Sequence, residues 1–202
     1  MDFVPKYFFE KFPNLFDTNE PVWFALKNLH NYLLSMSLGE INGDVSSQAT
    51  LVNRELISIG KNTTVEAGAY IVGPCFIGEN CQIRHGAYLR GDVFAQNHCV
   101  IGHATEAKNA IFLEGSQAGH FAYVGDSILG SHVNLGAGTK CANLRFDRKN
   151  VKVKGVDTGL RKFGAIFGDG AQTGCNVVTN PGTLMTKQSS ALACSSVYGL
   201  VL

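Results

Sequence analysis

Counting in sixes from Ile59 gives Val65, Ile71, Ile77, Ile83, Leu89, Ala95, Ile101, Ala107 and Leu113, all apolar. In a chain that is 45% hydrophobic, ten such hits in one chosen frame arise by chance about 3 times in 10,000. Four residues beyond each stands a mostly small side chain: Thr63, Ala69, Cys75, Cys81, Ala87, Val93, Cys99 and Thr105. Gly follows several aliphatic positions, as in IGKN, IGEN and IGHA. A six-residue period of this kind predicts a parallel β-helix, in which three hexapeptides close one triangular coil of about 18 residues. The aliphatic residue points inward, the small one fits the corner, and Gly or Asn turns it. The period does not fix the hand, but hexapeptide repeats of this type resemble the left-handed family.

The frame has an irregular first turn over 41–58. It is expected to break near Gly119–Gly125 and resume in a shifted phase at Leu129, Leu135 and Cys141. The basic stretch 143–165 reads as a loop leaving the helix. The period then returns at Phe167, Thr173, Thr179, Met185, Ala191 and Val197, with Ala171, Val177, Thr183, Ser189 and Ser195 at the small sites. The chain therefore divides into an aromatic, helical segment 1–37 and an all-β segment 38–202. In the first, Asp17, Thr18 or Asn19 is expected to cap a helix with Pro21 in its first turn. Val22, Leu26, Leu29, Leu33 and Met36 follow helical spacing, and their apolar face is expected to cover the open edge of the first coil.

Composition narrows the function. The 202 residues carry 17 Lys+Arg against 16 Asp+Glu, so no positive excess exists for broad binding to nucleic acid or an anionic membrane. No apolar run is long enough to span a bilayer, and no leader pattern opens the chain. Six cysteines without a C-x-x-C or a dense framework suit a reducing, cytoplasmic setting.

Stacking one coil on the next places chemistry. Arg90 and Lys108 fall on neighbouring coils and should point outward together, about 4.8 Å apart along the backbone. Two stacked cations suit an anion such as a sugar phosphate, or are simply solvated. His120 is expected in a column with Arg84 and Gly102, where an imidazole suits proton abstraction near neutral pH. His98, His103 and His85 could hold zinc on neighbouring coils. LRGDV at 89–93 is also similar to gamma-class carbonic anhydrases, although their ligand order is not followed, and no metal is expected. Cys81 and Cys99 read as small buried hydrophobes, and Cys175 and Cys194 have no nucleophile context.

The block GSQAGHFAYVGDSILGSHVNLGAGTKCAN at 115–143 resembles the acetyltransferase domain of the bifunctional glucosamine-1-phosphate acetyltransferase/UDP-N-acetylglucosamine pyrophosphorylases. The continuation, NLRFD and then GLRKFGAIFGDGAQTGCNVVTNPGT, looks more like the archaeal sugar-1-phosphate nucleotidylyltransferase/acetyltransferase branch. Similarity runs from about Ile59 to Thr183, and AGH-x2-Y-x-GD with N-x-GAGT is its most specific part. The resemblance implies a left-handed β-helix and a cytoplasmic homotrimer with sites between subunits. It also implies acetyl-CoA as cosubstrate and an amino-sugar 1-phosphate as acceptor. His120 would be the general base, Glu106 its orienting group, and Asn143 the asparagine beside the amine and thioester. Arg90 and Lys108 would bind phosphate, and Tyr123 and Asn134 the sugar. Ala137, Gly174 and Cys175 would lie along acetyl-CoA. In that chemistry the amine attacks the thioester directly, with no acyl-enzyme.

Two other readings stand beside it. No L-x-A-G-x-G-T-R-M segment precedes the helix, so the chain would alternatively be a non-catalytic β-helix serving a separate nucleotidyltransferase. A zinc hydratase is the third.

Overall fold

The computed structural model describes residues 3–202. From Ile41 onward the chain winds into a prism of short parallel strands with three faces. The first face stacks eight strands, from Asp44–Val45 through Val100–His103, Gln117–His120 and Asn134–Leu135 to Ser190–Ala191. The second face runs from Thr50–Val52 through Tyr88–Leu89 and the leading halves of Glu106–Phe112 and Tyr123–Leu129 to Ser196–Val197. The third runs from Ile57–Ile59 through the trailing halves of those two strands to Leu200–Val201. This is the expected parallel β-helix. The aliphatic positions from Ile59 to Ala107 are buried, and all eight small corner residues from Thr63 to Thr105 lie beneath the surface. The first coil is irregular as expected: Leu51 pairs with Ile71, a longer step than three hexapeptides.

The frame breaks earlier than the pattern predicts, and twice. Leu89 pairs with Ala107, three full hexapeptides on, but Ala95 pairs with Phe112 and Ile101 with Ala118, each one residue short of that step. Phe112 therefore fills the prism interior, and Leu113, expected inside, joins the apolar layer outside the third face. A second short coil follows, with Phe112 opposite Leu129 and Ala118 opposite Leu135. The cause is one corner. In the regular coil Gly91 and Asp92, at φ 89° and 52°, turn from the second face to the third. In the next two coils Asn109 and Asp126, at φ 45° and 49°, each make that turn alone. Asn and Asp tolerate this left-handed region better than other residues with a Cβ. The second break, at Asp126, directly follows Gly119–Gly125, and Leu129, Leu135 and Cys141 then lie inside the prism in the shifted phase, as the pattern predicts; the earlier break at Asn109 is the one it does not.

The third face also explains the aromatic N-terminal segment. Its outward residues are apolar: Phe76, Phe94, Ile111, Ile128, Ile166, Leu184 and Leu200. On the first face the outward positions include Gln82, Gln117, Asn134 and Gln172, all exposed. An apolar face must be covered, because each buried Ile or Leu contributes about 1.5–3 kcal/mol. The helix Phe24–Ser35 lies along this face and buries Leu26, Leu29 and Leu33 in the same layer as Ile111 and Ile128. It does not close the first coil, as the sequence pattern suggested. Its N-cap is Trp23, with no side-chain cap bond, so Asp17, Thr18 and Asn19 are not its caps.

The excursion leaves after Cys141 and returns at Ala165. It is a built structure, not a free loop. A hairpin pairs Lys152–Val153 with Val156–Asp157, while Val151, Val153 and Phe163 are buried with the N-terminal aromatics. Trp23 meets Phe163 at 6.0 Å between ring centroids.

Candidate functional site

His120 closes the strand Gln117–His120 at the edge between the first and second faces, and its ring is exposed. The short coil changes its column. It stands in register with His103, not Gly102; Gly102 lies under Gly119, so closely that a Cβ there would meet the Gly119 carbonyl. His103 stacks in turn on His85, with 5.6 Å between centroids and 11° between planes. Each of these two rings uses Nδ1 on a main-chain carbonyl one coil below, at 2.6 Å from Ala67 and 2.9 Å from His85. Among the described residues the His120 imidazole makes no hydrogen bond or ion pair. His98 turns another edge and faces Glu114 at 3.8 Å, so the three histidines of the zinc reading are not gathered at one point.

Above His120, the pairings of Leu135 with Ala118 and Thr173 put Ala137 and then Cys175 on the same edge. Asn176 N–H donates to the Ala137 carbonyl, and Gly138 N–H to the His120 carbonyl. Beside this edge Gly119, Gly136 and Gly174 continue the line from Gly102. A Cβ at Gly136 would collide with the Gly174 backbone, and one at Gly174 with Ala193. The strip between His120 and Cys175 is therefore bare backbone and small side chains.

The other predicted residues spread across the second face from this edge. Tyr123 is half-buried, and its hydroxyl accepts from Asn143 Nδ2 at 3.1 Å. Burial raises the phenol's pKa, while the Asn143 bond opposes that shift. Arg90 and Lys108 stack as expected, with Arg90 N–H donating to the Ala107 carbonyl. Each cation already has its own carboxylate. Arg90 donates to Glu106 at 2.6 Å, a bond that raises the guanidinium's pKa. Lys108 lies 3.3 Å from Asp126. Glu106 thus engages Arg90, and no bond joins it to His120 among the described residues. Asn134 projects from the first face, beyond the His120 edge from Tyr123 and Asn143.

The sequence reading missed Asp126 and Asn109. Asp126 is 3% exposed and accepts from Asn109 Nδ2 at 2.9 Å and Asn143 Nδ2 at 2.5 Å. Asn109, Asp126 and Asn143 follow one another at 17-residue steps up one corner. That spacing, one residue short of the full coil, was the available signal. A separate cleft of about 620 Å³, lined in part by Phe12, Glu114, His132 and Asp169, is elsewhere and shares none of these residues.

Stacked hexapeptide coils, with an exposed imidazole on one edge and two paired cations on the adjoining face, make this a hexapeptide-repeat β-helix with a candidate site on its surface. Residues 71–189 match the family described as GMPPB C-terminal domain, and the chain belongs to that family. It is 38% identical over 173 residues to a bifunctional sugar-1-phosphate nucleotidylyltransferase/acetyltransferase of Sulfurisphaera tokodaii, covering 84% of this chain and 40% of that protein. It is 46% identical over 88 residues to the bifunctional protein GlmU of Methanococcus maripaludis, covering 42% of this chain and 21% of that one. The chain thus spans well under half the length of these relatives. Among solved structures it is similar to a hexapeptide transferase family protein from Anaplasma phagocytophilum, at 19% identity and a TM-score of 0.43, covering 79% of this chain and 77% of that one. No helix among the described residues is long and apolar enough to cross a membrane.

Proposed function

We propose that this chain is an N-acetyltransferase that moves the acetyl group of acetyl-CoA to the amine of an amino-sugar 1-phosphate. The observation that carries this reading is His120: an exposed imidazole without a partner in the described chain, at the foot of a bare strip formed by Ala137, Gly174 and Cys175. The acetyltransferase named in the Sulfurisphaera relative supports it.

A sugar amine is largely protonated at neutral pH, so a base must expose its lone pair. His120 takes that proton on a ring nitrogen. The amine nitrogen then bonds to the thioester carbonyl carbon and sheds its second proton to solvent, the C–S bond breaks, and the departing thiolate takes the proton held by the His120 imidazolium, which restores the free base. Arg90 and Lys108 hold the phosphate, and Tyr123 and Asn143 face the sugar. Asn134, across the edge, suits a second protomer's sugar, which supports sites shared within a homotrimer. Acetyl-CoA binds along the strip formed by Ala137, Gly174 and Cys175.

The test is CoA thiol release with glucosamine 1-phosphate, abolished by His120→Ala. Absence of turnover with every hexosamine 1-phosphate overturns the proposal. One observation favours a second reading. Both cations are already paired, as suits a surface that binds a nucleotidyltransferase partner without chemistry. That reading predicts partner binding that survives His120→Ala, with no CoA release.

A further inference from the structure

We infer that Asp126 is a positioning residue that decides which end of the Asn143 amide meets the acceptor amine. The inference rests on the acetyltransferase reading and adds a residue to it. A carboxylate only accepts hydrogen bonds unless protonated. The Asn143 atom 2.5 Å from Asp126 Oδ2 is therefore the amide nitrogen. The same nitrogen lies 3.1 Å from the Tyr123 hydroxyl. Both of its protons are committed inside the chain, one to each neighbour. Its Oδ1 has no hydrogen-bond partner among the described residues and is not a buried orphan. What Asn143 offers a ligand is thus an acceptor. It takes an N–H from the sugar amine and turns the nitrogen lone pair toward the thioester. It has no donor left for the oxyanion, which falls to main-chain N–H groups.

Asp126 is fixed from every side. Asn109 holds its Oδ1 from one coil below at 2.9 Å, and Lys108 approaches the same atom at 3.3 Å. Gly164 N–H donates to its main-chain carbonyl at 2.8 Å. The two shortened corners create this ladder. With three full hexapeptides in every coil, Asn109, Asp126 and Asn143 would not share a column. The same carboxylate also ties Lys108, and with it the phosphate end of the site, to the amide.

The test is Asp126→Asn, which keeps the shape and tolerates φ 49° but faces the Asn143 amide with a group that can also donate. A charge-assisted bond of this kind predicts a fall in kcat of about 10- to 100-fold, with KM for acetyl-CoA unchanged. In an Asn143→Ala background the same substitution should add nothing, because it acts through that amide. A two-fold change or less, or an equal loss in both backgrounds, overturns the inference. An independent readout needs no turnover. The two Asn143 side-chain amide protons should exchange slowly with solvent in the wild type and rapidly in Asp126→Asn. Unchanged exchange overturns the positioning role. Inactivity of the wild type overturns the acetyltransferase reading instead and leaves the exchange result to judge Asp126.

Discussion

The coils around Leu89 and the two coils that follow differ by one residue each, and that residue separates plain scaffold from the candidate site. In the regular coil, Gly91 and Asp92 turn the corner and Leu89 stacks under Ala107 at the full three-hexapeptide step. In the short coils, Asn109 and Asp126 turn it alone, and each side chain binds the next coil. Inside the prism the two kinds of coil are alike: Ile83, Leu89, Phe112 and Leu129 are all fully buried. Outside, the short coils gather Lys108, Tyr123, Asp126, Asn143 and His120. A repeat can lose a corner residue without disturbing its core, and what the loss changes is the order of side chains on the surface.

The hardest test of that division is His120→Ala. The ring makes no bond within the described chain, so the division predicts loss of function without loss of fold. If His120 is the general base proposed above, its removal costs about 10²- to 10⁴-fold in rate, while the thermal midpoint should stay within about 1 °C of wild type, as for a surface change. The pair of measurements is CoA release and a melting curve. A large drop in melting temperature would place the imidazole in the scaffold and break the comparison.

The converse is Ile83→Ala in a regular coil. Ile83 sits between Val65 and Ile101, fully buried, and its truncation should cost about 2–5 kcal/mol of stability. Activity per folded molecule should be nearly unchanged. Asn109→Gly is its counterpart on the surface. Glycine relaxes the φ of 45° but gives up the bond to buried Asp126, so stability should fall by about 1–2 kcal/mol, less than for Ile83→Ala, while the ladder beneath Asp126 loses its lower rung. Denaturant unfolding and kcat, measured on both variants, should move in opposite patterns.

The same contrast explains what the sequence disclosed. The six-residue period from Ile59 to Ala107 announced the prism, because an interior tiled by one side chain per hexapeptide leaves a regular trace. Arg90 below Lys108, and the return of the period at Phe167, were legible for that reason. The turn at Asn109 was not, since Ala107 to Phe112 loses its residue at a position where Leu113 is apolar as well. Both phases are hydrophobic there because one side faces the interior and the other faces the N-terminal helix. That double phase, repeated in CFI, VFA, SIL, AIF and TLM, was the unread sign that the helix lies along a face. The partners of Arg90 and Lys108 escaped notice because Glu106 and Asp126 reach them only across coils.

If the interiors are equally dry, both kinds of coil should weaken in alkali through their cysteines. Burial raises the Cys75 thiol pKa in a regular coil, and it pushes Cys141, stacked on Val124 of a short coil, up to about 11 from 9.0. A raised folded-state pKa contributes stability that is full below the unfolded value and is lost as pH rises through the folded one. The window for Cys141 is therefore pH 9 to 11. Across it, stability should fall by about 2 kcal/mol on this account. Cys141→Ala should flatten the fall by that amount in denaturant titrations at the two pH values. An unchanged slope would mean that water reaches the thiol and that the short coils are looser than the regular ones.

The smallest effect concerns the paired cations. Arg90 and Glu106 are 43% and 33% exposed at their side chains, so their contact at 2.6 Å lies in solvent and is screened by salt. A phosphate approaching Arg90 meets a carboxylate on the same guanidinium, and Lys108 brings Asp126 with it. Glu106→Gln removes one negative charge and leaves the fold's registers untouched. Affinity for inorganic phosphate should rise about 3- to 10-fold at low ionic strength, and the gain should shrink as salt is added. Asp126→Asn should give less, because its charge is shared with two amides as well as Lys108. Calorimetry with phosphate across a salt series reads both. If Glu106→Gln leaves affinity unchanged, the anion does not touch the guanidinium, and the regular coil then contributes shape to the site while the short coils contribute its charge.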